Sequence, residues 1–114
     1  MDKPKVAWIN YYLMYSAPFR DRLIYSEGIN VCYGSSLERI EQEYDLSSFK
    51  VILCYIGREH QKRVLTLINE KYPHLKIGLM TNIHESFEFD ALVFGFEDPS
   101  NFYKNVLKFI KENQ

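Results

Sequence analysis

Residues 50–81 read KVILCYIGREHQKRVLTLINEKYPHLKIGLMT. This stretch opens on an apolar run, Lys50 to Ile56, and closes on another, Lys76 to Thr81. Neither run alternates polar with apolar side chains, so both are expected to be strands covered on both faces, as in a parallel sheet. Between them Val64, Leu65, Ile68 and Tyr72 recur at the spacing of one helical face. A helix beginning near Glu59 accounts for them, and Pro73 stops it. Strand, helix and parallel strand make a right-handed crossover unit, which sets the expectation for the rest of the chain.

Upstream, Lys5 to Tyr11 (KVAWINY) and Ile29 to Tyr33 (INVCY) are further strand candidates. Ser16 is placed to cap a helix that carries Phe19, Leu23 and Ile24 on one face, with Gly28 just past its end. Ser35-Ser36-Leu37-Glu38 reads as a capping box opening a short helix through Ile40 and Tyr44. Downstream, Ala91 to Phe96 (ALVFGF) is a fifth strand. Asp98-Pro99 then gives an N-cap followed by proline at the first helical position, and Phe102, Val106, Phe109 and Ile110 form the stripe of a last helix. This alternation predicts an α/β fold: a single five-stranded parallel sheet of order 2-1-3-4-5, flavodoxin-like, with helices on both faces. The connection from Asn82 to Asp90 is shorter than the dozen or so residues a parallel crossover ordinarily needs. The fourth helix is therefore expected to be short or absent, one turn around Ile83 to Phe87, with Phe87 and Phe89 covering part of one sheet face.

At 114 residues, 46% hydrophobic and 25% charged, the chain is expected to be one globular domain spanning 1–114. Fourteen basic against fifteen acidic side chains leave a formal charge of −1, so no global field draws it to nucleic acid or anionic membrane, and neither is an expected partner. No apolar run reaches the roughly 18 residues of a membrane span, and the opening Met-Asp-Lys-Pro-Lys lacks the apolar stretch of a secretion signal. A cytoplasmic location is expected. Cys32 and Cys54 do not form a zinc motif, and in the predicted sheet the first strand separates them, so no disulfide is expected.

In an open parallel sheet, chemistry gathers at the carboxyl ends of the strands. Those ends offer Asn10, Tyr11 and Tyr12; Tyr55, Ile56, Gly57 and Arg58; Thr81 and Asn82; and Gly95, Phe96, Glu97 and Asp98. In element order, and through the segments DLSSFKVILCYI, LINEKYPHLKIGLMTN and DALVFGFEDPSNFYKNVLKFI, the chain resembles a response-regulator receiver domain. That resemblance implies an acidic pair after the first strand, a phosphoaccepting aspartate ending the third, a hydroxyl ending the fourth and a lysine ending the fifth. The corresponding positions here are Asn10 and Tyr11, Tyr55, Thr81, and Gly95. Only Thr81 keeps the pattern.

Each departure has a chemical consequence. Magnesium wants hard, charged oxygen ligands, which an amide and a phenol do not supply. A tyrosine cannot form an acyl phosphate, and Gly95 lacks the cation that would pair with a phosphoryl oxygen. The resemblance thus implies a pseudo-receiver of two-component signalling: no phosphoacceptor, no metal or other cofactor, no enzymatic activity. Its partner would be a protein, a signalling kinase or regulator, or a second copy through the fifth strand and last helix, with Tyr103 and Phe96 near that edge.

Other readings of the same residues stay open. Tyr11, Tyr12 and Tyr55 either fill the space a metal would take or line a pocket for a planar ligand, which would make the chain a nucleotide or flavin sensor or an enzyme. Gly34-Ser35-Ser36 lacks the spacing and lysine of a phosphate-binding loop. His60, His74 and His84 show no metal-ligand spacing, and Asp98, beside Glu97, is already accounted for as a helix cap. Arg58, Lys62, Arg63 and Lys71, with His60 and Gln61, form either a docking face for an acidic partner or a solvated helix surface. The aromatic segment with Phe87 and Phe89 is the second candidate contact.

Overall fold

The computed structural model describes residues 3–10, 13–82, 90–95 and 98–114, with backbone alone for 13–17. Its elements run β1 (Lys5–Asn10), α1 (Leu13–Tyr25), β2 (Asn30–Gly34), α2 (Leu37–Glu43), a 3-10 turn (Leu46–Ser48), β3 (Val51–Tyr55), α3 (Arg58–Lys71), β4 (Lys76–Met80), β5 (Leu92–Phe94) and α4 (Pro99–Glu112). The five strands form one parallel sheet of order β2-β1-β3-β4-β5, as expected.

Strand periodicity divides the core in two. Ala7, Ile9, Ile52, Cys54, Ile77 and Leu79 point to the face covered by α2 and α3, where Leu37, Ile40, Val64, Leu65 and Ile68 meet them. Val6, Trp8, Val51, Leu53 and Met80 point to the other face, covered by α1 and α4 through Leu23, Phe102, Val106, Phe109 and Ile110. Both faces of the central strands are therefore apolar, which is why their sequences show no alternation. Cys32 and Cys54 lie on β2 and β3, either side of β1, buried and unlinked.

Several local expectations shift. Helix α1 begins at Leu13, so Ser16 lies within its first turns instead of capping it, and Pro18 falls in the helix interior. Having no N–H, Pro18 cannot make the bond to the carbonyl four residues back, a cost the packing of Leu23 and Phe19 must offset. Gly28 ends the turn after α1 with φ +67°, its N–H donating to Ile24 O at 3.2 Å. That left-handed stop suits glycine. At α2 the cap is Ser36, which accepts from Arg39 N at 3.2 Å. Glu38 sits one place too early to return the bond, so the reciprocal capping box is not made.

Strand β5 is shorter than expected, Leu92–Phe94, and pairs with β4 in parallel, so the crossover is made over residues 81–91. The turn predicted around Ile83 to Phe87, and the covering role of Phe87 and Phe89, lie outside the described residues. Among the described residues no helix is long and apolar enough to cross a membrane.

Candidate functional site

The carboxyl ends of the strands bring together most of the residues picked out by the sequence. Asn10 ends β1 and stands in register with Tyr55, which ends β3. The amide of Asn10 is wholly buried, at 0% exposure. Tyr55 is half-buried and follows Val51 and Leu53 on the α1/α4 face, where its ring packs against that core. Thr81 follows β4, and its N–H donates to Phe94 O at 2.9 Å, tying β4 to β5. Gly95 follows β5 and is exposed. Tyr11, Tyr12, Phe96 and Glu97 lie outside the described residues.

Gly95 is constrained by Asn82, which the sequence placed at this edge without giving it a role. A Cβ there would lie 3.1 Å from Asn82 Oδ1, so the Asn82 amide rests against the position where a receiver carries its lysine. A longer side chain would require that amide to move.

Gln61 is the second such residue. Placed by the sequence with the basic side chains of α3, it is instead wholly buried. The reason is helical geometry: 61, 64, 65 and 68 lie on one face, and Gln61 continues the stripe of Val64, Leu65 and Ile68 by one turn. Periodicity contained this signal, but polarity masked it. Asn10 and Gln61 are the buried polar residues among those described, both from segments that end or begin at this edge of the sheet.

Beside the charged Arg58 and Asp98, this edge carries neutral groups among the described residues: two buried amides, a phenol, a hydroxyl and an exposed amide. Such groups donate and accept hydrogen bonds but do not neutralise a divalent cation. Among the described residues no three His, Cys, Asp or Glu side chains come together. The groove that includes Gly95, lined also by Asp98, Asn101 and Phe102, holds about 170 Å³. Asp98 serves there as the N-cap of α4, accepting from Asn101 N at 3.3 Å and Asn101 Nδ2 at 2.8 Å.

The candidate docking residues divide. Arg58, Lys62 and Arg63 are exposed on α3. Lys71 is not available in the same way, since its Nζ lies 3.2 Å from Glu41 Oε2 and joins α3 to α2. Tyr103, expected near an exposed edge, is buried at 7%, its ring edge-on to Phe19 at 5.5 Å and capped by the Arg22 guanidinium at 3.7 Å. It faces inward because 102, 103, 106, 109 and 110 all fall on the buried side of α4. Phe87 and Phe89 lie outside the described residues.

No protein-family model and no curated protein matches the chain. Among solved structures it is similar to a "putative lipoprotein" fragment from Peptoclostridium difficile 630, with a TM-score of 0.61 and 11% identity over 97% of this chain and 99% of that one. At that identity the likeness concerns the fold.

Proposed function

We propose that this chain is a receiver-like signalling domain that accepts no phosphate and acts in the cytoplasm by binding a protein partner. The observation that carries the reading is the register of Asn10 with Tyr55 at the ends of β1 and β3. In a sheet of this order, those are the positions at which a receiver holds its metal and its phosphoacceptor. Here they hold a buried amide and a packed phenol, while Asn82 occupies the approach to Gly95. Without the covalent switch, the outer face of α3 bearing Arg58, Lys62 and Arg63 is the described candidate surface for an acidic partner such as a kinase or regulator, beside the segment with Phe87 and Phe89 that lies outside the described residues.

Magnesium with beryllofluoride, followed by amide NMR, tests the first half. The expected result is no saturable shift at Asn10, Tyr55, Thr81 or Gly95, and such a shift would overturn the reading. The second half is tested by titrating the chain against kinases and regulators encoded beside it. Arg63→Glu is expected to weaken any complex by about tenfold or more, whereas equal binding by wild type and variant would remove α3 from consideration.

A further inference from the structure

A cavity of about 760 Å³ opens at the end of the sheet opposite to the one just described. The starts of three strands line it, through Lys5, Asn30 and Lys50, together with Lys3, Ser48 and Gln114. Among the described residues of that lining every charged side chain is a lysine, in a chain whose formal charge is −1. No described carboxylate forms an ion pair with Lys3, Lys5 or Lys50.

Lys5 is held in place from both ends. Its N–H donates to Gln114 Oε1 at 3.0 Å, and its Nζ donates to Ser48 Oγ at 2.9 Å while lying 4.4 Å from the Phe49 ring centre. The strand starts around it are tied together, Asn30 N to Pro4 O at 2.8 Å and Lys76 N to Lys50 O at 2.9 Å. Asp45 is the carboxylate that feels Lys5, but it is engaged elsewhere. Hydrogen bonds from the Ser47 hydroxyl and N–H, with a lesser contribution from Lys5, hold it below the usual carboxylate range.

The remaining wall is apolar, formed by Pro4, Ile24 and Ile29. The volume falls within the roughly 300–1,000 Å³ of small-molecule sites and exceeds what a bare phosphate fills. One held cation, Lys5, with two more lysines beside an apolar wall suits an anion that carries an organic body.

We propose that this cleft binds a phosphorylated small molecule, with its phosphate at Lys5 and Lys50, Lys3 at the mouth, and its less polar body against Ile24 and Ile29. The proposal is independent of the receiver-like reading, because the two sites lie at opposite ends of the sheet.

Amide NMR titrations with inorganic phosphate and with phenyl phosphate test it, at constant ionic strength and at a pH where both are dianions. Saturable shifts are expected at Lys5, Asn30, Lys50 and Gln114, with phenyl phosphate saturating at several-fold lower concentration. Lys50→Glu, an exposed strand-start substitution, is expected to raise the apparent Kd by about tenfold or more while leaving the other amides in place. Should that variant misfold, Lys3→Glu carries the same expectation. Shifts that never saturate, that fall equally on Arg58, Lys62 and Arg63, that gather at Asn10 and Tyr55, or that survive both reversals would each overturn the proposal.

Discussion

Tyr72 closes α3 and donates its hydroxyl to Glu41 Oε2 at 2.6 Å. That bond, helped by burial and by the charges of Glu41 and Asp45, pushes the phenol from 10.0 up to about 12. A group whose pKa is raised on folding stabilises the fold below its unfolded value and loses that contribution as pH climbs to the folded one. Tyr72→Phe is therefore expected to have a lower urea midpoint than wild type at neutral pH, with the gap closing between pH 10 and 12. A gap that stays constant across that window would place the contribution elsewhere. Tyr103 presents the opposite case. Its hydroxyl is buried with no hydrogen-bond partner among the described residues, as is Trp8 Nε1 in the same aromatic group around Phe19. Burial, with the charge of Glu27 and against that of Arg22, raises this phenol too. Since an unpaired buried donor costs about 1–3 kcal/mol, Tyr103→Phe is expected to stabilise the protein by about 1 kcal/mol in urea unfolding. A loss of stability would mean that the hydroxyl has a partner after all.

Among the elements, β4 shows what close layering demands. Gly78 lies where a Cβ would meet Leu53 Cδ2 at 2.8 Å and the rings of Phe94 and Phe109 at 3.0 Å each. Those two rings, with centroids 5.4 Å apart, close over the strand from β5 and α4. Gly78→Ala is expected to cost about 1–3 kcal/mol in denaturant unfolding, by forcing the rings off their packing. A neutral result would show that α4 yields easily. Helix α3 makes a related point about patterning. Its buried face is one turn longer than its apolar stripe, because Gln61 extends it toward the strand ends where Asn10 is also buried. Helix α1 departs most from local expectation, since a proline and a serine that would suit a helix start at Ser16 lie inside a helix that starts at Leu13. Tertiary packing overrides local propensity there.

At the scale of the whole molecule, the sheet is enclosed by two apolar layers, and the thiols report on that enclosure. Cys54 is fully buried, and burial raises its thiol well above 9.0; burial likewise raises Cys32 against the opposing charge of Lys5. Thiolate is the reactive form, so both cysteines are expected to ignore a disulfide reagent in native buffer and to react once denaturant unfolds the chain. Labelling of Cys32 alone in native buffer would instead show that the edge strand β2 opens by itself. The two ends of the sheet also differ in character. Among the described residues the carboxyl end centres on the neutral Asn10, Tyr55 and Thr81, whereas the amino end carries Lys3, Lys5 and Lys50 around a cavity.

Strand order, helix sequence and most of the core were legible in the chain because hydrophobic periodicity is a local property that survives without coordinates. The chemical character of the Asn10, Tyr55, Thr81 and Gly95 edge was legible for the same reason, since the crossover rule fixes which strand ends meet. Burial of Gln61 and Tyr103, the seat of Asn82 against Gly95, and the lysine-lined cavity were not. Polarity masked the helical spacing that buries Gln61 and Tyr103, while the other two depend on which side chains from distant segments come within a few ångströms of one another. Lys5, Lys50 and Gln114 are far apart in sequence and share a cleft only because parallel strands all start at one end of a sheet, to which α4 returns.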